Sequence, residues 1–308
     1  MHFLYKSDPV RGELWARLFA ERAPEITFHC WPETGDPKEV RYLAAWIPPA
    51  DLAQQFPNVE VVFSVGAGID QFDFSTLPAH VPVVRMIEPG LAAGMVEYVM
   101  QAVLSLHRDG PLYQQQQRQR QWIARTVKPA SSRRVGVLGL GVLGKAVLEK
   151  LRDFGYDCAG WSRSPHTLEG VACYDGEAGL DSFLARTDIL ICLLPLTDST
   201  RGILNRKLFA ALPAGAALIN VGRGAHLVEA DLLAALDSGH LSSAVIDVLE
   251  TEPPAADHPF WDHPSIVLTP HIASMTQPVS GFEAVLDNIR RHQAGQPLVG
   301  LVDRTRGY

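Results

Sequence analysis

The sequence predicts an α/β fold built from doubly wound parallel sheets. Short β-branched or apolar runs alternate with helical stretches along the chain, as expected of repeated βαβ units. The later runs, such as DILICLL and AALINV, are almost wholly apolar, which is typical of strands that helices cover on both faces. A glycine-rich loop stands between one of these runs and a helical stretch, as in a Rossmann-like nucleotide-binding domain.

Eight runs are predicted to be strands. In chain order they are residues 59–65, 81–85, 134–138, 157–161, 188–194, 217–221, 243–248 and 265–268. The pattern divides into two α/β units, the first over residues 1–98 and the second beginning with the helical stretch GMVEYVMQAVLSLHRD. The helical tail in residues 277–308 could complete the second unit or return to the first.

Length, composition and charge exclude several classes of protein. A chain of 308 residues, 47% hydrophobic and 20% charged, is an ordinary globular protein, and at about 150 residues per domain it suggests two domains. The net charge of −7 offers no surplus of positive charge for a nucleic acid or an anionic bilayer. No run approaches the roughly 18 apolar residues of a membrane span, and MHFLYKSDPV lacks the pattern of a secretion signal. We therefore expect binding to neither nucleic acid nor membrane.

Cysteine usage points to a reducing compartment. Cys30, Cys158, Cys173 and Cys192 form no C-x-x-C pair, and Cys192 lies inside an apolar run. Free thiols fit the cytoplasm, which is the expected location.

The glycine-rich loop predicts a dinucleotide site. Gly139, Gly141 and Gly144 have G-x-G-x-x-G spacing between the strand RVGVL and the helical KAVLEKL. The three glycines permit a tight turn, close approach of a pyrophosphate and close packing of helix on strand, with the helix N-terminus facing the phosphates. The predicted cofactor-binding loop comprises Gly139, Leu140, Gly141, Val142, Leu143 and Gly144.

The same residues permit two other interpretations. Gly139 to Lys145 also satisfies the G-x-x-x-x-G-K pattern of nucleotide triphosphatases, but the next residue is Ala146, which lacks the hydroxyl that would bind Mg²⁺. A tight turn without a ligand is the second alternative.

The residues after the next strand favour NADP(H) over NAD(H). An acid about 20 residues beyond the loop would bond the ribose 2′-hydroxyl of NAD. The sequence instead has Ser162, Arg163 and Ser164, which offer hydrogen-bond partners for a 2′-phosphate and no repelling carboxylate. We expect NADP(H), with NAD(H) as the weaker alternative. In the competing interpretation, Arg163 is a solvated surface charge and Asp157 is the ribose acid.

Three ionisable residues follow later strands. Arg223 comes after ALINV, Glu252 shortly after SAVIDV, and His271 just beyond IVLTP. Carboxyl ends of parallel strands line the ligand crevice of an open α/β sheet, so the three side chains can converge there. An arginine binds a carboxylate, a histidine donates a proton near neutral pH, and an adjacent carboxylate favours the protonated histidine. This set suits hydride transfer to a 2-oxo acid.

With GLGVLG, INVGRG, DVLETEPP and LTPHIAS in this order and spacing, the whole chain resembles the D-isomer-specific 2-hydroxyacid dehydrogenase family. SVGAGID, AAWIPP, the absent ribose acid and the ending VDRTRGY are most similar to its bacterial glyoxylate/hydroxypyruvate reductases. The resemblance implies NADPH-dependent reduction of glyoxylate or hydroxypyruvate to glycolate or D-glycerate by a homodimer. It implies a flavodoxin-like substrate domain over residues 1–98, completed by 277–308, and a dinucleotide-binding domain over residues 99–276.

The resemblance also assigns roles to residues. His271 is the proton donor, Glu252 its paired carboxylate, and Arg223 the substrate anchor. The remaining expected substrate-binding residues are Trp46, Gly66, Ala67 and Gly68, although Trp46 could equally be a core residue. The residues expected to line the nicotinamide and its ribose are Leu194, Pro195, Gly222, Asp247, Ala273 and Ser274.

Three alternatives stay open at this point. The chain could act on another 2-oxo acid, or it could bind the dinucleotide as a sensor without turnover. His258, His263 and His271 lie close in sequence, but no further acid or cysteine has ligand spacing, so we expect no metal site.

Overall fold

A computed structural model describes residues 1–304, and the chain divides into two compact units. One unit joins Met1–Leu91 with Met275–Tyr308, and the other is Ala92–Ser274. The sequence analysis placed these boundaries after residues 98 and 276. The first falls instead near the start of a continuous helix, Pro89–His107, where the amphipathic pattern carries no sign of a domain boundary. The end of VDRTRGY, residues 305–308, lies outside the described residues.

Strands and helices alternate through most of the described chain. The strands are β1 His2–Lys6, β2 Thr27–Cys30, β3 Val40–Ala45, β4 Val61–Ser64, β5 Val83–Val84, β6 Arg134–Leu138, β7 Asp157–Ser162, β8 Ala172–Asp175, β9 Ile189–Cys192, β10 Ala216–Asn220, β11 Leu241–Ile246 and β12 Ile266–Leu268. The helices are α1 Pro9–Arg22, α2 Leu52–Gln55, α3 Pro89–His107, α4 Gly110–Arg118, α5 Val142–Asp153, α6 Gly176–Ala185, α7 Arg206–Ala211, α8 Glu229–Asp237 and α9 Pro278–Gln293. Short 3₁₀ turns occupy Pro37–Glu39, Ala130–Ser132 and Gly224–His226.

Each of the eight predicted runs overlaps a strand, so the predicted α/β class is confirmed. The sequence analysis missed β1, β2, β3 and β8. These strands carry more polar residues and alanine than the predicted runs do, and β2 and β8 each have only one strand neighbour in their sheets. Their composition therefore gives a weaker strand signal.

The first unit is built on a parallel sheet. Within residues 1–304 its strand order is β2-β1-β3-β4-β5, which is the order of a flavodoxin-like doubly wound sheet. In this order the carboxyl ends of β3 and β4 are neighbours, with Ala45 opposite Ser64.

The C-terminal helix α9 completes this first unit. Phe282, which is fully buried, meets Phe19 edge-on with ring centroids 5.0 Å apart. The indole N–H of Trp15 donates to the carbonyl of Pro278 at 2.8 Å, and Thr276 donates to the carbonyl of Val65 at 2.7 Å. These contacts explain why the tail returns to the first unit, a question that periodicity alone left open.

The second unit is built on a seven-stranded parallel sheet in the described chain. Its order is β12-β11-β10-β9-β6-β7-β8, with the three strands β6, β7 and β8 on one side of a reversal and the others on the opposite side. This is the order of a Rossmann sheet, and its reversal lies between β6 and β9. Ligands bind at such a switch point, outside the carboxyl ends of the strands.

Helix α3 packs into the core of the second unit. By length and composition alone it could cross a membrane, and it is the helix among the described residues that meets this test. Its Met95, Val99, Ala102, Val103 and Leu106 are buried in the same core as strands β6 and β9. Such burial is typical of a core helix.

Candidate active site

The glycine loop joins β6 to α5 at the switch point. Gly139 has φ +108°, which favours glycine, and its N–H donates to the carbonyl of Trp161 at 2.8 Å. A Cβ at Gly144 would overlap the carbonyl oxygen of Gly139, so this glycine sets how closely the helix approaches the strand. A Cβ at Gly141 would meet nothing within 4 Å, and this open side is where a pyrophosphate can approach the backbone.

The loop residues that flank these glycines divide into core and surface. Leu140 is 2% exposed and packs in the core, whereas Val142 is 53% exposed. Leu143 is half-buried at the start of α5. The side chain of Leu140 therefore positions the loop, and contact with a dinucleotide falls to backbone groups and to Val142.

The loop after β9 lies beside the glycine loop. Leu193 donates its N–H to the carbonyl of Leu138 at 2.8 Å, which fixes the two strand ends side by side. Leu194 is 8% exposed and its side chain packs in the core, so only its backbone can line a ligand. Pro195 is half-buried directly after it.

The end of β7 carries the residues expected to choose the cofactor. Ser162 is buried and donates to the carbonyl of Ser164 at 2.7 Å, while Arg163 and Ser164 are exposed. Asp157 stands at the other end of this strand, about 16 Å away, and pairs with Arg186 at 2.5 Å. This position rules out Asp157 as the ribose acid.

Arg223 lies in a tightly bonded turn after β10. The Arg223 guanidinium donates to the carbonyl of Gly222 at 2.8 Å. The backbone carbonyl of Arg223 accepts from the side-chain amide of Asn220 at 3.1 Å. Asn220 is fully buried. The turn therefore has a fixed backbone, although the side chain of Arg223 is only partly buried.

His226 is a positioning residue that the sequence analysis missed. It is fully buried, and its Nδ1 accepts from the N–H of Arg223 at 3.0 Å. Nε2 consequently carries the proton and donates to the carbonyl of Pro195 at 3.3 Å. This imidazole joins the Arg223 turn to the loop after β9. A single histidine six positions beyond a strand gives no sequence signal for such a role.

The Arg223 turn also packs against the loop that carries Glu252. A Cβ at Gly224 would overlap the backbone of Leu249 and Glu250, so only glycine permits this approach. Glu252 in turn accepts the N–H of Leu249 on Oε1 at 2.9 Å. Backbone contacts therefore fix the loops after β10 and β11 relative to each other.

Glu252 and His271 form an ion pair. His271 Nδ1 lies 2.8 Å from Glu252 Oε2, and the two side chains are 34% and 37% exposed. The pairing orients the imidazole so that Nδ1–H donates to the carboxylate, which leaves Nε2 as the nitrogen that can exchange a proton with a ligand.

The turn at His271 is held by Asp247. His271 has φ +55°, a left-handed conformation that costs a residue with a Cβ about 1 to 2 kcal/mol. Its N–H donates to the Asp247 carbonyl at 2.8 Å, and the Asp247 carboxylate accepts from Ile272 at 2.9 Å and Ala273 at 2.8 Å. Burial raises the pKa of the Asp247 carboxyl, which is 2% exposed.

Ala273 and Ser274 end the second unit. Ala273 is 3% exposed and packs in the core, and Ser274 lies against Gly94 of α3, whose Cβ would be 3.7 Å from its hydroxyl. Their backbones, and the half-buried Ser274 hydroxyl, are what a ligand at this sheet edge could contact.

The first unit holds the other predicted substrate residues at its own sheet edge. Trp46 follows β3 and is 39% exposed, so it is not a core tryptophan. It packs on Gly66, where a Cβ would lie 2.9 Å from the indole ring. Gly66 donates its N–H to Ser64 at 3.2 Å, and among residues 1–304 no acceptor is recorded for the N–H of Ala67 or Gly68. An anion nest here therefore rests on residues 67 and 68.

The three neighbouring histidines each have a separate carboxylate. His258 pairs with Glu229 at 3.1 Å and His263 with Asp237 at 3.4 Å, while His271 pairs with Glu252. Among the described residues no cluster of three or more histidine, cysteine or acidic side chains could hold a metal ion.

A comparison with protein families matches residues 100–273 to the NAD binding domain of the D-isomer specific 2-hydroxyacid dehydrogenases. The chain belongs to this family. Two curated relatives, each covered along its whole length as is this chain, are named glyoxylate/hydroxypyruvate reductase A. They come from Yersinia enterocolitica, 39% identical, and Serratia proteamaculans, 40% identical.

Solved structures of family members share the whole fold. A 2-hydroxyacid dehydrogenase from Xanthobacter autotrophicus Py2, in complex with NADPH and MES, is 39% identical with a TM-score of 0.94 over 100% of this chain and 99% of that one. An NADPH-dependent glyoxylate/hydroxypyruvate reductase from Sinorhizobium meliloti, in complex with NADP and sulfate, is 37% identical with a TM-score of 0.92 over the same shares.

The glycine loop predicts two different substitution effects. Gly144→Ala forces a Cβ into the Gly139 carbonyl and is expected to destabilise the unliganded protein by about 1 to 3 kcal/mol. Gly141→Ala, at φ −76°, should leave stability within about 0.5 kcal/mol. It should nevertheless weaken dinucleotide binding about tenfold or more, because the methyl group occupies the space of the pyrophosphate.

Urea denaturation without ligand and fluorescence titration with NADPH separate the two effects. Equal stability losses in both variants would contradict the division of labour between the two glycines.

Proposed function

We propose that this protein reduces glyoxylate and hydroxypyruvate to glycolate and D-glycerate with NADPH. The observation that carries the proposal is the pair of His271 and Glu252, held at 2.8 Å on the carboxyl edge of a Rossmann sheet. The names of the curated relatives support the choice of these two small acids.

His271 acts as the general acid. Glu252 accepts from Nδ1–H, so Nε2–H of the imidazolium is the proton that can pass to the carbonyl oxygen of the 2-oxo acid. Transfer of this proton neutralises the alkoxide that develops as the carbonyl is reduced.

Arg223 binds the carboxylate of the acid. Its backbone is fixed by Asn220 and His226, so the guanidinium begins from a defined position. A planar guanidinium can bond a carboxylate through two parallel N–H groups and polarise the adjacent carbonyl. In the first unit, the N–H groups of Ala67 and Gly68, with Trp46 nearby, are proposed to bind the carboxylate of a small acid. We accordingly assign substrate binding to that unit.

The residues of the second unit fit NADP(H). The glycine loop provides an open backbone at Gly141 and a helix N-terminus for the pyrophosphate. The exposed Arg163 and Ser164 suit a 2′-phosphate, and Asp157 lies too far along β7 to reject it. When bound, NADPH supplies the hydride that adds to C2 of the acid. The NADPH and NADP complexes of the two solved relatives support this assignment.

We also propose a homodimer located in the cytoplasm. Trp122 is fully exposed, and Ile123 and Val127 in the same extended segment are 57% and 63% exposed. Exposed apolar groups of this size are typical of a protein contact. The cysteines are free, as expected in a reducing compartment.

Loss of the general acid tests the mechanism. His271→Ala should lower kcat for hydroxypyruvate by about 10²- to 10⁴-fold, the usual contribution of a positioned acid. The matched control His263→Ala removes a histidine paired with an exposed carboxylate and should retain kcat. Stopped-flow NADPH oxidation measures both. A small loss with an unchanged pH profile would remove His271 from this role.

Substitution of Arg223, the proposed substrate anchor, should change KM for the oxo acid. Arg223→Lys keeps a positive charge but loses the two-point fork, so KM for the oxo acid should rise about tenfold or more while the Kd for NADPH stays constant. Arg201→Lys, on the exposed pair with Glu250, is the control. Weaker NADPH binding in Arg223→Lys would contradict the assignment.

The cofactor preference should depend on Arg163. Arg163→Ala removes a charge-assisted partner of the 2′-phosphate, and kcat/KM for NADPH should fall about 10- to 100-fold. The value for NADH, which lacks that phosphate, should change little. Arg206→Ala, an exposed arginine at the start of α7, is the surface-charge control. An equal fall with both cofactors would mean that Arg163 does not read the phosphate.

A further inference from the structure

A chain of hydroxyl groups leads from helix α3 to the turn that carries His271. The hydroxyl of Tyr98 lies 2.5 Å from Oγ1 of Thr269, and Thr269 donates to Oδ1 of Asp247 at 2.6 Å. All these residues belong to the second unit. Asp247, in turn, accepts the N–H groups of Ile272 and Ala273.

The direction of each hydrogen bond follows from the end of the chain. An ionised carboxylate only accepts, so the Thr269 hydroxyl gives its proton to Asp247. The Tyr98 hydroxyl must then donate to Thr269. Burial raises the pKa of Tyr98 to about 12, so it remains a donor throughout the range of an enzyme assay. Consecutive donors polarise one another, and this strengthens the final bond to the carboxylate.

We propose that Tyr98 is a positioning residue of the reaction, which acts through Thr269 and Asp247 to hold the left-handed turn at His271. The inference rests on the proposed role of His271 as general acid. Three acceptor contacts of the Asp247 carboxylate, to Thr269, Ile272 and Ala273, surround this turn. Because the turn is conformationally costly at His271, it persists only while these contacts over-determine it.

The position of the chain gives it a dependence on pH. The titratable groups that face Asp247 are His271, whose positive charge favours the carboxylate, and Tyr98. Burial raises the pKa of Asp247, and the bonds from Thr269, Ile272 and Ala273 oppose that rise. Protonation of the Asp247 carboxylate would remove acceptor sites for these donors and release the turn at His271. The chain from Tyr98 therefore protects activity on the acid side of the pH profile.

The test compares two buried tyrosines of the second unit. Tyr98→Phe removes the donor hydroxyl, whereas Tyr156→Phe removes a buried hydroxyl for which the described residues provide no partner. In Tyr98→Phe, the acid limb of kcat/KM for hydroxypyruvate should move up by about 0.5 to 1 pH unit, because one bond to an ionised group is weakened. The alkaline limb should not move. Tyr156→Phe should reproduce the wild-type profile.

A double-mutant cycle tests whether the hydroxyls act as one chain. Thr269→Val breaks the contact with Asp247 directly and should move the acid limb at least as far as Tyr98→Phe. Once Thr269 is valine, adding Tyr98→Phe should cause no further shift, since the route to Asp247 is already cut. Additive shifts, or a loss of kcat/KM that is equal at every pH, would overturn the proposal and leave Tyr98 a packing residue.

An independent measurement separates this proposal from the proposed function. Hydrogen exchange of the Ile272 and Ala273 amides reports the turn without substrate or cofactor. When the solution is acidified, the Ile272 and Ala273 amides should lose their protection from exchange at a higher pH in Tyr98→Phe than in the wild type. A wild-type protein that reduces no 2-oxo acid but shows this exchange pattern would retain the hydrogen-bond chain and contradict only its role in catalysis. Unchanged protection in Tyr98→Phe would overturn the chain itself.

Discussion

The buried carboxylate of Asp247 is the constraint on which the rest of the site depends. The carboxylate accepts the N–H groups of the two residues that follow His271, and the backbone carbonyl of Asp247 accepts the N–H of His271. These bonds keep a histidine in a left-handed conformation that an isolated chain would seldom adopt. In that conformation Nδ1 meets Glu252, and a proton is held at a defined atom. Burial raises the pKa of this carboxylate, and hydrogen bonds from several donors replace the ones that water would otherwise make to it.

The parallel sheet determines which loops can share this edge. Strands β10, β11 and β12 are consecutive neighbours, so the loops with Arg223, Glu252 and His271 leave the sheet side by side. Gly224 then permits contact between the first two loops, and His226 joins the Arg223 turn to the loop beyond β9. The glycine loop follows β6, so it lies at the reversal between β6 and β9, next to the loop beyond β9. One sheet edge thus carries the glycine loop, Arg223, Glu252 and His271.

The parts of this arrangement that could be predicted from the sequence are those with a local signal. Wholly apolar runs identified the inner strands β9 and β10, and glycine spacing identified the loop after β6. Arg223, Glu252 and His271 were predicted because each follows a strand and because the motifs around them resemble one family. The edge strands β2 and β8 lacked such a signal, and the return of α9 to the first unit depends on tertiary packing around Phe282.

The positioning residues could not be predicted in this way. Tyr98 lies in an apolar helix, where an aromatic residue has the pattern of any core residue, and its partner Thr269 is 171 positions away. His226 likewise acts through backbone groups on two other loops. Pairings over such distances arise only from the folded chain. The family motifs identify the residues proposed to bind ligands, whereas the residues that hold those groups in place are determined by packing.

The measurement that tests the central claim most directly is the initial rate of NADPH and NADH oxidation by the wild-type protein. It should be made with glyoxylate, hydroxypyruvate, pyruvate and larger 2-oxo acids at matched concentrations. The account predicts rapid turnover of the two small acids with NADPH and slower turnover with NADH. Tight binding of NADPH without turnover of any acid would contradict it, because a fixed acid group, an anion anchor and a dinucleotide loop would then serve binding alone.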